Sequence, residues 1–282
     1  MNEQVKELKK QIFKITAHRN DSNRSNETLA FRSFIAYSFA IQFSEFIKRY
    51  KHYGVTEAVL EESIFVRPSH FEIDEKLFNS FDLDALIQAT NIYSQIVKDL
   101  PPFTDVLSML LEEILLTHKR GSELGQFLTP TDIADSLTEL FNEEQLLRTE
   151  PYSIGDICVG AGSLILPPLK MKAINTPEKI GLIKLVLNDI DPIMCTAVAL
   201  QLITNTVQHN IDLNGLTITC ANAITKYNKK DTMVFGFKTP SIVFERINEI
   251  KEHKKAATQY DHLSSMIRNV LTTERSIHQN NN

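Results

Sequence analysis

Asp156-Ile-Cys-Val-Gly160-Ala-Gly162-Ser163 is the stretch on which the fold turns. It closes an apolar run from Ser153 to Val159 that predicts a strand, and it leads into Leu164 to Ala173, which predicts a helix. Glycines at such a strand–helix turn let the backbone bend tightly and approach a ligand that a Cβ would exclude. A tight turn with no ligand would use the same residues, so the motif is weighed together with its neighbours.

Downstream the chain keeps alternating. Lys184 to Asn188 predicts a strand, Ile193 to Asn210 a helix, Leu216 to Cys220 a strand and Thr232 to Phe237 a further strand. That alternation argues for a parallel sheet with crossover helices. Asn188-Asp189-Ile-Asp191-Pro192 ends the second strand, where an acidic side chain can accept hydrogen bonds from both hydroxyls of a ribose. Asp191-Pro192 also reads as a helix start with aspartate as cap, and the two readings hold together. Thr219-Cys220-Ala-Asn222 ends the third strand; Asn222 either meets the edge of an adenine ring or serves as a turn residue.

Upstream, Gly125-Gln-Phe127-Leu-Thr129-Pro130 precedes a helical pattern carrying Ile133, Ala134, Leu137, Leu140 and Phe141 on one face. Thr129 suits its cap and Pro130 its first position, where a missing N–H costs nothing. Residues 1 to about 120 read as helical. Val5, Leu8, Ile12, Phe13 and Ile15 share a helical period, and Ser25 or Asn26 suits the cap of the next helix. Phe81 to Leu100 predicts a helix stopped by Pro101-Pro102, and another begins near Thr104. The absence of glycine from Val55 to Arg120 favours helices over hairpins there. After Ser241 the pattern is charged and helical, with a disordered tail expected from His278. The expected division is a helical domain over 1–120, a cofactor-binding domain over 121–240 and a helical segment with tail over 241–282.

Composition sets outer limits. At 282 residues, 43% hydrophobic and 23% charged, the chain has material for a buried core and the profile of a globular protein. The net charge of −5 argues against strong autonomous DNA binding, because phosphate neutralisation supplies most of such affinity. Cys158, Cys195 and Cys220 form no Cys-x-x-Cys pair and no spaced Cys/His set, which fits a reducing cytoplasm and no metal site. Phe31 to Tyr50 is the most apolar long segment, but Arg32, Gln42, Glu45, Lys48 and Arg49 interrupt it. A charge near a helix centre costs roughly 2.5–3.5 kcal/mol on insertion scales, so it predicts a core helix and no membrane span.

In this order and at these gaps, the motifs resemble the cofactor half of adenine-specific DNA methyltransferases, in the branch of type I restriction-modification methylation subunits. The resemblance runs from Phe103 to Ile224 and includes an Asp-Val-Leu helix, here Asp105-Val-Leu107, before the Gly-Gln-Phe segment. It implies an α/β, Rossmann-like methyltransferase domain that binds S-adenosylmethionine, behind an all-helical N-terminal domain. Phe127, Thr129 and Pro130 would border the methionine part of the cofactor, Asp156, Gly160 and Gly162 would cradle it, and Asp189 would hold the ribose. Asn222 stands where the family commonly has aspartate.

The family's catalytic loop, Asn/Asp-Pro-Pro-Phe/Tyr at the end of the fourth strand, is not found, so no catalytic residue is assigned. Asp231-Thr-Met-Val-Phe235 resembles the strand that should carry it, but Gly236-Phe237-Lys-Thr-Pro240 follows, leaving only Phe237 to stack on a flipped base. Leu100-Pro-Pro-Phe103 has leucine at the polar position and reads as a helix break. Each strand–helix unit needs about 30 residues. The 42 residues after Pro240 read as helix, so the sheet is expected to be incomplete. The expectation is therefore a DNA adenine methyltransferase-like protein, catalytically impaired alone. The alternatives are a non-catalytic regulatory or assembly module, or one half of a split enzyme. A protein partner or homo-oligomer is expected, with DNA binding weak in isolation.

Overall fold

The computed structural model describes residues 2–19, 23–73, 78–118, 148–226 and 231–279, together with Thr129, Ile133, Ser136 and Lys229. Its N-terminal region is built from α1 (Asn2–Lys14), α2 (Asn23–His52), α3 (Glu57–Ser63), α4 (Leu83–Asp99) and α5 (Val106–His118). The helical period read in α1 is the one the fold uses, since Val5, Leu8, Ile12 and Ile15 are all buried. α2 buries Phe31, Phe34, Ile35, Phe39, Phe46 and Tyr50, as expected of a core helix. It starts at Asn23, so neither Ser25 nor Asn26 is its cap. Asn26 instead links the segment between the two helices, donating to the Arg19 carbonyl at 3.2 Å and accepting from Thr16 Oγ1 on its own carbonyl at 3.0 Å. Among the described residues, no helix is long and apolar enough to cross a membrane.

A short strand, β1 (Ile64–Val66), interrupts the helical region. Absence of glycine did not exclude it, because a three-residue run of β-branched and aromatic side chains needs no tight turn when its partner lies far along the chain. The remaining elements alternate: β2 (Tyr152–Asp156), α6 (Leu166–Asn175), β3 (Ile183–Asp189), α7 (Pro192–His209), β4 (Gly215–Cys220), β5 (Met233–Lys238) and α8 (Ser241–Gln279). The last helix includes His278, where disorder was expected; positions 280–282 lie outside the described residues.

The sheet is mixed, with order β1-β5-β4-β3-β2. β2, β3 and β4 are parallel, as the alternation predicts, and β5 is antiparallel to both β4 and β1. Among the described residues between β4 and β5 there is no helix to serve as a crossover, and a parallel return needs a crossover of about a dozen residues or more. Phe235 and Phe237 hold β5 in place. Phe235 packs edge-on against Phe39 at 5.3 Å between ring centroids, and Phe237 lies 5.3 Å from Phe46. α2 thus covers one face of the sheet's β5 side.

A buried ion pair ties the helices to the strands. Arg49 in α2 bonds both carboxylate oxygens of Asp212, just before β4, and Tyr50 donates to the same carboxylate at 3.1 Å. Burial pushes the Asp212 carboxyl up, against the pull of Arg49 and Tyr50.

Candidate functional site

Parallel β2, β3 and β4 bring their carboxyl ends to one side of the sheet, where ligands of open α/β folds bind. Asn188, buried at the end of β3, stitches the three ends together. Its amide donates to the Ile157 carbonyl at 2.9 Å and the Ala221 carbonyl at 3.0 Å, while its own carbonyl accepts from Thr219 Oγ1 at 2.8 Å. Both amide N–H groups and the amide oxygen are thus bonded, which suits a polar side chain that is 1% exposed.

Asp189 follows and turns toward the glycine loop. Its Oδ2 accepts the Gly160 N–H at 2.8 Å and its Oδ1 accepts the Asp191 N–H at 2.9 Å. Each carboxylate oxygen keeps a further lone pair, so acceptor capacity remains for a ligand. Asp191 caps α7 by accepting from the Ile193 N–H at 2.8 Å. The cap read at Asp191 is therefore the one the helix uses, and Asp189 is left free of that role.

The two loop glycines do different work. Gly160 has φ +55°, and a Cβ built there would meet no atom within 4 Å, so the loop faces open space. Gly162 has φ +114°, and a Cβ there would lie 3.2 Å from the Leu166 side chain, so this glycine permits close packing of loop on helix. Asp156, ending β2, accepts the Cys158 N–H at 2.9 Å and shapes the start of the loop.

A second set of polar groups supports the loop from behind. Gln201, fully buried in α7, donates to the Ala161 carbonyl at 2.8 Å and to Asp105 Oδ1 at 2.7 Å. Its Oε1 accepts the N–H groups of Val106 and Leu107 at 3.1 and 3.3 Å. Ser108 and Ser163 hydroxyls meet at 2.9 Å, joining α5 directly to the loop. Asn205, one turn beyond Gln201, accepts the Phe103 N–H at 2.5 Å.

Large apolar side chains stand exposed on the loops that leave the parallel strands. Ile157, Leu164, Ile190 and Ile224 are 56%, 42%, 67% and 95% exposed, and all lie on the loops that follow β2, β3 and β4. Exposed aliphatic groups gathered beside polar acceptors are a feature of ligand sites.

Residues 102–259, more than half of the chain, match the family described as N-6 DNA Methylase. The chain belongs to the N-6 DNA methylase family. No curated protein sequence matches the chain. Among solved structures, it is similar to the type I restriction-modification system methyltransferase subunit from Streptococcus thermophilus. Identity is 13% and the TM-score 0.36, over 81% of this chain and 59% of that one. The chain therefore spans 59% of that subunit's length.

Of the residues that the family resemblance implied, Asp156, Gly160, Gly162 and Asp189 converge at the carboxyl ends of β2 and β3. Asn222 lies beyond β4, exposed, and its Oδ1 accepts the N–H groups of Ile224 and Thr225 at 3.0 and 3.1 Å. The carbonyl of its side chain is thus engaged in a turn, the alternative reading of this position. Thr129 is half-buried; Phe127 and Pro130 lie outside the described residues, as do Ala134, Leu137, Leu140 and Phe141 of the helix expected after them.

The resemblance of Asp231–Phe235 to a catalytic fourth strand does not survive the topology. β5 lies outside β4 and runs antiparallel to it, so Lys238 pairs with Gly215 at the amino end of β4. The segment after it, including Thr239 and Pro240, is therefore at the opposite end of the sheet from the glycine loop. Phe237 is 6% exposed and packed on Phe46, so it is unable to stack on a base. Phe103 is buried as well, in agreement with reading Leu100-Pro-Pro-Phe103 as a helix break. Among the described residues, no strand pairs with the outer edge of β2.

The sequence reading missed Asn188 as a staple and passed over Gln201 and Asn205. The last two had a visible signal. Two amides four residues apart on an otherwise apolar helix fall on one face, and a buried amide demands partners.

Proposed function

We propose that this chain binds S-adenosylmethionine at the carboxyl ends of β2 and β3 and forms the cofactor half of an adenine-specific DNA methyltransferase. The observation that carries this reading is the Asp189 carboxylate held against Gly160 with acceptor capacity to spare, beside a loop whose glycine faces open space. The residues fit the cofactor. Asp189 would accept from the ribose hydroxyls, Gly160 would admit the ligand close to the backbone, and exposed Ile190 would offer an apolar surface to a flat base. Asp156 would shape the loop from below. Phe127, Thr129 and Pro130 are assigned to the methionine side through the family resemblance. Bound there, the sulfonium would supply an already activated methyl group for an adenine amine.

We further infer that the chain is catalytically impaired alone. This rests on the missing Pro-Pro loop and on β5, which directs Gly236–Pro240 away from the loop side. Calorimetric titration with S-adenosylmethionine, run alongside transfer of labelled methyl to adenine-containing DNA, tests both parts. Binding without transfer is the expected result. Methylation by the purified chain that is lost in Asp189→Ala would overturn the impairment.

One observation favours the split-enzyme alternative over a purely regulatory module. β2 is the strand that carries the glycine loop, yet it lies at the sheet edge among the described residues. In a doubly wound sheet the strand that carries the glycine loop has a neighbour on each side. A second polypeptide that supplies a parallel strand there would complete the site beside the bound cofactor. Its addition should then restore methyl transfer; a complex that forms and stays inactive supports the regulatory module instead.

A further inference from the structure

The three cysteines are scattered in sequence, but the β3–α7–β4 crossover brings two of them together. Asp189 at the end of β3 lies opposite Cys220 at the end of β4. α7 begins at Pro192, so Cys195 falls in its first turn, directly behind that strand pair. The Cys195 thiol lies 3.5 Å from the Thr219 carbonyl and 3.7 Å from the Asp189 carbonyl. Cys220 Sγ lies 3.7 Å from the Ile190 carbonyl. Each thiol shifts the titration of the other, one up and one down.

We propose that Cys195 and Cys220 form a peroxide-sensitive thiol pair that closes to a disulfide beneath Asp189–Ile190 and weakens the cofactor site. The effect on the site rests on the cofactor reading above; the disulfide itself does not.

The pair is asymmetric. Cys195 is fully buried, and its thiol is pushed far up by the Cys220 thiol and by burial. Cys220 is half-buried, and the Cys195 thiol lowers it, against burial and the Asp189 and Asp191 charges. Cys220 is therefore the attacking thiolate and Cys195 the resolving thiol. Cys220 sulfur attacks hydrogen peroxide: an S–O bond forms, the O–O bond breaks, and hydroxide leaves to become water. Cys195 sulfur then attacks the sulfenic sulfur, forming S–S and breaking S–O, and its proton leaves with the hydroxide as a second water. Two thiols lose two electrons and the peroxide gains them.

A disulfide holds its sulfurs about 2.05 Å apart, far closer than a thiol–thiol hydrogen bond. Closure must draw the first turn of α7 toward the end of β4. Both sulfurs rest on carbonyls of Asp189 and Ile190, so the shift falls on the residue proposed to hold the ribose.

The test treats the full-length chain with hydrogen peroxide, blocks free thiols, and maps peptides without reduction. A Cys195–Cys220 linked peptide, reversed by dithiothreitol, is expected. Cys195→Ser should instead leave Cys220 as a sulfenic acid that a dione probe captures. Cys220 oxidised in the natural sequence with no linked peptide would overturn the pair. Calorimetry with S-adenosylmethionine should show affinity at least tenfold weaker after oxidation and recovered on reduction; equal affinities would overturn the effect on the site. Failure of the reduced chain to bind would sink the cofactor reading and with it that effect, while the linked peptide still decides whether the pair exists.

Discussion

The Asp189 carboxylate accepts the Gly160 N–H at 2.8 Å, so the acidic end of β3 and the glycine loop after β2 form one unit. A substitution at either position must alter both.

Gly160→Ala and Gly162→Ala should behave differently. Both need a left-handed backbone, which costs a non-glycine residue on the order of 1–3 kcal/mol. Gly162→Ala adds a tight 3.2 Å approach to the buried Leu166 side chain and should lower stability in chemical denaturation by more than Gly160→Ala. The latter places a methyl group in open space and should act mainly on S-adenosylmethionine affinity, read by calorimetry.

Asp189→Asn keeps the size of the side chain but replaces one acceptor oxygen with a donor. One of the two backbone N–H groups loses its partner, a cost of about 1–3 kcal/mol. Cofactor affinity should fall at least tenfold by calorimetry, because the amide is left with less acceptor capacity for the ribose.

Gln201→Leu is nearly equal in volume, yet it strips partners from the Ala161 carbonyl, Asp105 and the Val106 and Leu107 N–H groups. Losing several buried partners should cost about 3 kcal/mol or more in denaturant unfolding. A loss below about 1 kcal/mol would show that the network does not support the loop.

Arg49→Met leaves the Asp212 charge buried and unpaired, a change that costs about 3–5 kcal/mol in comparable sites. The double substitution Arg49→Met with Asp212→Leu should recover much of that stability. Comparing the two in one double-mutant cycle checks the claim.

Burial holds the His209 imidazole below its usual range, although its bond to the Val97 carbonyl pulls the other way. The fold therefore binds this proton less well than the unfolded chain does. The sign follows: the contribution is full above about pH 6.5, the ordinary histidine value, and declines as pH falls through the folded-state value. Thermal melts from pH 7.5 to 5 should show a steeper decline for the natural sequence than for His209→Gln.

Much of the candidate site was legible along the chain because its local structure is set by adjacent residues. A glycine turn between strand and helix, an acidic strand end and a proline-started helix are each written in a few adjacent residues. Asp156, Gly160, Gly162 and Asp189 needed only the parallel β2–β3 pairing to meet. Local pattern also separated α2 from a membrane span and Pro101-Pro102 from a catalytic loop.

Residue order alone carries the family and the succession of motifs, from Asp105-Val-Leu107 to the end of β4. The place of β5 is set by long-range packing, since an apolar strand reads alike whichever edge of a sheet it joins. Its choice depends on Phe39 and Phe46, about 190 residues away, and on the short β1 as a second neighbour. The same holds for Gln201, whose partners lie 40 to 96 residues away, and for Cys195 and Cys220, which meet only through a crossover. Periodicity reports which face of an element is apolar; it carries no record of which distant element will cover that face.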